Sequence, residues 1–494
     1  MDTCNTRAVI LAAGKSSRFK WKRSKILTHI CGQPMIMFPL KIMQELNLPI
    51  TLVLGYQREN VEKELTKRGV SNLSYSYQDE QLGTGHAFAC SRDTWDSDNI
   101  LVLNGDVPLL TARRIKELLN RHKEEKADVS FFTTYMIKPD GYGRIIEKDG
   151  TVSIIEEKDC TSEMLEITKV NAGVYVMSRK FLEENIDKLA KHASSGEYYL
   201  PDLVNFAAEQ GFRVQMISVP FDEVRGVNTL QELWAVEQVT RSMLIKDWML
   251  RGVRFELAQN IHIDIDVEIG EGSFIGTGAH LLQNTKIGKN CFISAFTIIE
   301  NTTVGDNTRI HSHSVLQDSI VGSDAHVGPF ARLRNDVTVE DNAVVGNFVE
   351  LKASKVGSSS KVKHLSYVGD ASLGSNVNIG AGTVVCNFDG VNKHKTTIKD
   401  DSFIGSNSTL IAPITINEKA YIAAGSTINR DVKTDDLAIG RSRQVNKPGY
   451  AKKFMAQDII KQETTTAKMD VTRTDDDFQF VGAVKTERGS ADNL

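Results

Sequence analysis

Two stretches of the sequence gather side chains able to do chemistry. One is KVKHLSYVGD, residues 361–370, where His364 stands among Lys361, Lys363 and Tyr367. A neutral imidazole takes up a proton near neutrality, so His364 suits general-base catalysis. Lys352 precedes this stretch, and Asn378, Asn387 and Lys393 follow it. The other is LAAGKSSRFKWKRSK, residues 11–25, in which Lys15, Arg18 and Lys25 follow a glycine turn. Backbone N–H groups and cations arranged in this way neutralise polyphosphate oxygens. The stretch is neither a GxGxxG fingerprint nor a Walker A loop, so it gives little support to a dinucleotide or P-loop site. Taken singly, the histidine also reads as an ordinary exposed side chain and the basic loop as a surface turn.

The element that must carry His364 is written in a period of six. Aliphatic residues recur at Ile269, Ile275, Leu281, Ile287, Ile293 and Ile299, resume after five-residue steps at Val304 and Val321, and run on to Ile428. A small residue sits four positions beyond most of them, as at Ser273, Ala279, Thr285, Thr308, Ala325, Ser366, Thr383, Ser408 and Ser426. That period fits neither a 3.6-residue helix nor a two-sided strand, but it fits a parallel β-helix built of hexads. Glycine follows the aliphatic residue directly at Gly270, Gly276, Gly288, Gly346 and Gly405, where its conformational freedom is expected to permit a tight corner. Val362 is the interior residue of its hexad and Ser366 the small one, so His364 occupies neither slot and points outward. Coils stack at the ~4.8 Å strand spacing, which lets neighbours from successive coils form one polar patch. CNFDGVNKHKTT, residues 386–397, lacks an interior aliphatic residue and reads as a loop expelled from a coil.

The basic loop belongs to a different period. Across residues 1–228, apolar runs such as RAVILAAG, ITLVLGY, NILVLNGDVPLL, DVSFFTTYM and RVQMISVP alternate with amphipathic helical segments. That alternation predicts a mostly parallel sheet covered on both faces, with ligands at the carboxyl ends of its strands. Residues 229–252 read as a helical linker, 253–450 as the hexapeptide-repeat domain, and 451–494 as a tail whose polar composition suggests disorder.

Composition narrows the function classes. In 494 residues, 59 basic and 63 acidic side chains leave a formal net charge of −4, which argues against a sequence-blind nucleic-acid binder and a basic membrane-surface protein. The six cysteines show no CxxC or metal-like spacing and read as reduced thiols, which suits a cytoplasmic protein. No stretch approaches the ~20 apolar residues of a membrane span, so no membrane insertion is expected.

Further motifs fall at or near strand ends: QLGTGHA (81–87), LNGDVPLL (103–110), GYGRIIE (141–147), IIEEKD (154–159), NAGVYV (171–176), GEYYLPD (196–202) and GVN (226–228). With HLSYVGDASLGSNVNIGAGTVVCNFDGVNKHKT (364–396), they make the chain resemble the bacterial bifunctional N-acetylglucosamine-1-phosphate uridyltransferase/glucosamine-1-phosphate acetyltransferase family over about residues 7–450. The resemblance implies an α/β nucleotidyltransferase domain with a Rossmann-like mixed sheet, followed by a left-handed parallel β-helix in a homotrimer. It implies transfer of UMP from UTP to N-acetylglucosamine 1-phosphate. Leu11, Ala12, Ala13, Gly14 and Lys25 would meet the nucleotide, Gln78, Gly83 and Thr84 the uracil, and Asn104 and Gly105 the nucleotide sugar. Gly143, Glu156 and Asn171 would contact the N-acetylglucosamine moiety, and Asp106 and Asn228 would ligate Mg²⁺. It also implies acetyl transfer from acetyl-CoA to glucosamine 1-phosphate, with His364 as base. Arg334 and Lys352 would bind the sugar phosphate, Tyr367, Asn378 and Lys393 would order the sugar, and Ala381, Asn387, Phe388, Ser406, Ala424 and Arg441 would surround acetyl-CoA. The product, UDP-N-acetylglucosamine, would feed peptidoglycan, lipopolysaccharide and lipid A precursors.

The chain departs from the family pattern at Ser16 and Ser17, where Gly-Thr is common, at Ser24 in place of proline, and at Phe388 in place of tyrosine. Two other readings stay open at this stage. A sugar-1-phosphate nucleotidyltransferase could use its β-helix only for assembly, against which His364, Asn387 and Arg441 argue. A non-catalytic subunit could keep both folds as scaffold, against which Lys25, Asp106 and Asn228 argue.

Overall fold

In the computed structural model, residues 5–15, 19 and 23–454 are described; Ser16, Ser17, Arg18 and the chain after residue 454 lie outside them. The chain divides into two compact units, the first ending at Gly440 and the second beginning at Arg441.

The α/β part of the first unit is a sheet of nine strands: β1 (Thr6–Ala12), β2 (Ile50–Leu54), β3 (Leu73–Tyr77), β4 (Asn99–Asn104), β5 (Val129–Tyr135), β6 (Arg144–Lys148), β7 (Thr151–Ile155), β8 (Lys169–Ser178) and β9 (Val214–Ser218). The main order is β9-β5-β8-β4-β1-β2-β3, with the β6–β7 hairpin joined to β8. All seven residues of β1 are buried because both faces are covered: Ala8, Ile10 and Ala12 enter one apolar cluster, Val9 and Leu11 the other. The five strands legible as apolar runs are present. Three features were not legible: β3, the hairpin, and β8, which runs antiparallel to both β4 and β5 and makes the sheet mixed.

Helix Leu230–Leu250 forms the connector, its first turn closed by a reciprocal capping box between Thr229 and Glu232. Leu233 and Val236 pack with Phe19 and Ile30 of the α/β part, while Ile245 enters the β-helix core. Gln33 donates to both oxygens of Asp266 at 2.7 and 2.6 Å, and the Ile265 N–H donates to the Cys31 carbonyl at 3.0 Å. No helix among the described residues is long and apolar enough to cross a membrane.

From residue 254 onward the chain winds into a left-handed parallel β-helix whose three faces are sheets of 11, 10 and 9 strands. The aliphatic residues stay in register across the five-residue steps and the expelled loop: Ile275, Ile293, Ile310, Val327, Val345, Val362, Ile379, Ile404 and Ile422 pair in sequence along one face, and all are buried. The small residues four positions on are buried too. The expelled loop is shorter than the sequence suggested. Cys386 closes one strand and Thr396–Ile398 form the next, with the Thr396 side chain buried, so the loop proper covers 387–395.

The glycines serve a different purpose from the one expected. Gly276, Gly288, Gly346 and Gly405 do not adopt left-handed φ; a Cβ at Gly346 would lie 1.9 Å from the Lys363 carbonyl oxygen of the next coil, and one at Gly405 2.4 Å from Ala424 N. They let coils approach. The left-handed corners fall two residues later, at Asn290, Phe348 and Asn407 among others. Asn and Asp tolerate that conformation by local hydrogen bonding. Phe296, His313, Phe330 and Phe348 adopt it instead with φ of 57, 60, 55 and 54°. Their rings stack along one corner at centroid separations of 5.3, 5.0 and 5.2 Å, and the three phenylalanines remain about half exposed.

Candidate active sites

The carboxyl ends of β1, β3 and β4 open into a cavity of about 600 Å³. It is lined by Leu11, Ala12, Ala13, Gly14 and Lys25 from the first loop, Gln78, Gly83 and Thr84 after β3, and Asn104 and Asp106 at the end of β4. Gly143, Glu156, Asn171 and Asn228 complete the wall. Of the cavity residues expected from sequence, only Gly105 is set back from the surface; a Cβ there would meet Ile36 Cδ1 at 2.9 Å.

At the centre, Lys25 Nζ donates to Asp106 Oδ2 at 2.6 Å and to Asn228 Oδ1 at 2.9 Å, with both ionic side chains largely removed from water. Two hard oxygen donors thus already converge on one positive charge, the donor set that suits a divalent cation retaining several waters. After β3, Gln78 is buried and donates to the Gly83 carbonyl at 3.0 Å. Gly83 has φ +104°, and a Cβ there would lie 2.4 Å from the Tyr198 carbonyl oxygen, so only glycine fits.

At the opposite end, a register shift in β8 between Asn171 and Tyr175 breaks the ladder. Asn171 Nδ2 then donates to the Tyr175 hydroxyl at 2.6 Å, and Gly173 N–H donates to Asn171 Oδ1 at 3.1 Å. A Cβ on Gly143 would stand 3.1 Å from Ile154 Cγ2 and 3.4 Å from Glu156 Oε1. Burial, reinforced by Asp202, Asp159 and Glu197, pushes the Glu156 carboxyl up to about 7.

The second site lies on the outer wall of the β-helix. His364 ends the strand Lys361–His364 and is exposed, as its slot in the hexad requires, and its Nδ1 is 2.8 Å from Asn347 Oδ1 one coil below. On the coils above, Ala381, Ser406 and Ala424 take the same corner position: Gly382 N–H bonds the His364 carbonyl, Asn407 N–H that of Ala381, and Gly425 N–H that of Ser406. The imidazole therefore stands at the foot of a column of small side chains.

Around the corner from His364, Arg334 and Lys352 pair on adjacent strands. Lys352 Nζ donates to both Asp370 oxygens at 2.9 Å, and Asn387 Nδ2 donates to the same carboxylate. That contact with Asp370 raises the Lys352 pKa, whereas the Lys352 ammonium lowers that of exposed Lys393, with Arg334 adding to the effect. Like charges held this close favour an anion. The Tyr367 hydroxyl lies over Gly369. Asn378 sits on the neighbouring face, paired with Lys361 and Phe403. Phe388 is 58 % exposed in the expelled loop and bridges to Lys393. Arg441 begins the second unit and is exposed.

Sequence reasoning missed Asn347, Asp370 and Glu197. The first two lie one coil from residues it named, His364 and Lys352, so the coil register was the available signal. Glu197 lines the cavity from a loop with no period to read.

Comparison with known proteins agrees with this division. Residues 7–218 match the Nucleotidyl transferase family, 257–337 the GMPPB C-terminal domain, and 395–430 the Hexapeptide repeat of succinyl-transferase. Similar along nearly their whole length are proteins named "Bifunctional protein GlmU" from Clostridium kluyveri (38 % identical), Geotalea uraniireducens (39 %) and Shouchella clausii (40 %). Each alignment covers 90 % of this chain and 98 % of the relative. With one chain carrying both a nucleotide cavity and a hexapeptide wall in that order, the protein belongs to the bifunctional GlmU family.

Proposed function

We infer that this enzyme acetylates glucosamine 1-phosphate with acetyl-CoA and then transfers UMP from UTP to the N-acetylglucosamine 1-phosphate formed. The observation that carries the reading is the pairing, on one chain, of the Lys25–Asp106–Asn228 cavity with the His364 column beside Lys352 and Lys393.

In acetyl transfer, Arg334, Lys352 and Lys393 hold the sugar phosphate, with Tyr367 and Asn378 ordering the sugar. Donation from Nδ1–H to Asn347 Oδ1 leaves the His364 Nε2 lone pair free to take the proton that the amine loses as it attacks the thioester. The CoA thiolate leaves. Ala381, Ser406 and Ala424 leave room for the pantetheine arm, with Asn387 and Phe388 completing the acetyl-CoA contacts.

In uridylyl transfer, a phosphate oxygen of the sugar attacks the α-phosphorus of UTP in line and pyrophosphate departs, so positioning and charge neutralisation dominate. Gln78, Gly83 and Thr84 hold the uracil, Leu11 to Gly14 line the nucleotide, Lys25 meets phosphate, Asn104 borders the nucleotide sugar, and Gly143, Glu156 and Asn171 contact the acetamido sugar. Asp106 and Asn228 are the residues that would hold Mg²⁺. When bound, the ion supplies neutralisation of phosphate oxygens. The enzyme is assigned to the cytoplasm, where UTP and acetyl-CoA are present, and its working form to a homotrimer. The trimer is supported by the half-exposed Phe296–Phe348 stack on the same corner as His364, which a neighbouring copy would cover. The four ranges read from the sequence, 1–228, 229–252, 253–450 and 451–494, stand as the proposed domain limits.

The test is one assay with two readouts. Supplied with glucosamine 1-phosphate and acetyl-CoA, the protein releases free CoA thiol; supplied with N-acetylglucosamine 1-phosphate, UTP and Mg²⁺, it releases pyrophosphate. Absence of either product removes the corresponding half of the reading.

A further inference from the structure

The expelled loop of the β-helix, residues 387–395, is hung at both ends on one residue. At its start, Asn387 Nδ2 donates to the Asp370 carboxylate. Just past its end, the Thr396 N–H donates to the Asp370 carbonyl at 3.2 Å, and Thr396 itself is buried. From the coil below, Lys352 Nζ donates to both Asp370 oxygens at 2.9 Å, and the Asp370 N–H donates to the Lys352 carbonyl at 2.9 Å. Burial would raise the Asp370 carboxyl, but hydrogen bonds from Lys352 and Asn387 hold it below its ordinary value. The ionised form therefore joins the lysine to the loop.

The loop is also braced within itself. Asp389 accepts from the Val391 and Asn392 N–H groups at 2.8 and 2.6 Å and lies 2.7 Å from His394 Nε2. The His394 N–H donates to the Asn387 carbonyl at 2.8 Å, so a pull at one point of the loop is passed to the others. Lys393, bridged to Phe388, meets the Lys352 ammonium, and that contact lowers the Lys393 pKa. Two like charges push the loop away from Lys352, and a phosphate seated between them reverses the sign of that force. An ammonium has three N–H donors, so Lys352 can hold Asp370 and still reach a phosphate. A Cβ at Gly369 would lie 2.9 Å from Asn387 Nδ2 and would press on the Tyr367 hydroxyl, so glycine there lets amide and phenol converge.

We propose that Asp370 is a positioning residue for acetyl transfer: by holding Lys352 and both ends of the 387–395 loop, it makes the sugar phosphate and acetyl-CoA bind each other's enzyme form more tightly. A phosphate on Lys352 and Lys393 draws the loop in, and the same stiff loop then presents Asn387 and Phe388 already ordered to the thioester. This inference rests on the acetyl-transfer reading of the outer wall.

The experiment is calorimetric titration of the full chain with acetonyl-CoA, a thioether that cannot transfer its group, with and without saturating glucosamine 1-phosphate. In the wild type the sugar phosphate is expected to lower the Kd for acetonyl-CoA about fivefold, and acetonyl-CoA to tighten the sugar phosphate by the same factor. Asp370→Asn keeps an acceptor but loses the charge that holds Lys352, and Asn387→Ala cuts the link at the loop. In each variant the factor is expected to fall below about twofold. General loosening of the wall would weaken each ligand alone and leave the factor in place. A wild type that binds the two ligands independently, or either variant that keeps the wild-type factor, overturns the role of Asp370. A wild type that binds neither ligand instead overturns the acetyl-transfer reading, and the proposal with it.

Discussion

The two candidate sites are built on opposite principles. The nucleotide site is a concave cavity of about 600 Å³ in the α/β part, with Lys25, Asp106 and Asn228 held in mutual contact. The acetyl site is a patch on the outer wall of a prism, where His364 is exposed beside the exposed Leu365 and the half-exposed phenylalanine stack. A concave site can exclude water by itself. A convex one needs a second surface, and the proposed trimer supplies it. The first chemistry should therefore survive loss of assembly and the second should not.

The largest effects separate the sites completely. His364→Ala should lower CoA release by about 10²–10⁴-fold, the usual range for loss of a general base, while pyrophosphate release is unchanged. Asp106→Ala should do the reverse, abolishing Mg²⁺-dependent pyrophosphate release and leaving CoA release intact. Either variant losing both activities would mean that the sites are not independent. Next, Phe330→Glu places a charge in the exposed stack; sedimentation should report smaller species, with CoA release lost and pyrophosphate release retained. A variant that stays assembled and active would detach the stack from the second site.

A smaller change tests how His364 is oriented. Asn347→Ala removes the acceptor at Nδ1 and should reduce the rate of acetyl transfer by about tenfold without altering KM for acetyl-CoA. The smallest effect concerns stability. Because the Glu156 carboxyl is raised from its ordinary value to about 7, it favours the fold below the unfolded carboxyl range, and that contribution is lost as pH rises through about 7. Glu156→Gln should melt close to wild type at pH 5 and higher than wild type at pH 8, by on the order of 2 kcal/mol in stability. Equal melting at both pH values would count against a perturbed carboxyl.

Much of this architecture could be read from residue spacing. The β-helix was legible because each coil repeats one demand, a buried aliphatic residue every sixth position, and the outward slot of His364 followed from Val362 and Ser366 alone. The nucleotide cavity was legible in its motifs but not in its frame. The antiparallel strand Lys169–Ser178 has the same apolar content as a parallel one, so no pattern announces its direction. The glycines were misassigned for a related reason: a sequence shows that a Cβ is absent, not whether φ or a neighbouring coil requires the absence. Asn347 and Asp370 act across coils, and their partnership becomes visible only once the register is known.

His364 falls near the middle of its stack. In its 11-stranded face, six strands come before its own and four come after. Each rung touches only the rungs beside it, so such an array frays inward from its ends instead of melting as a block. An imidazole carried mid-array keeps its bearing while the terminal rungs open and reclose, and backbone amides beside it should exchange with deuterium more slowly than those at either end. The long run of hexads before the histidine thus acts as ballast for a single proton transfer.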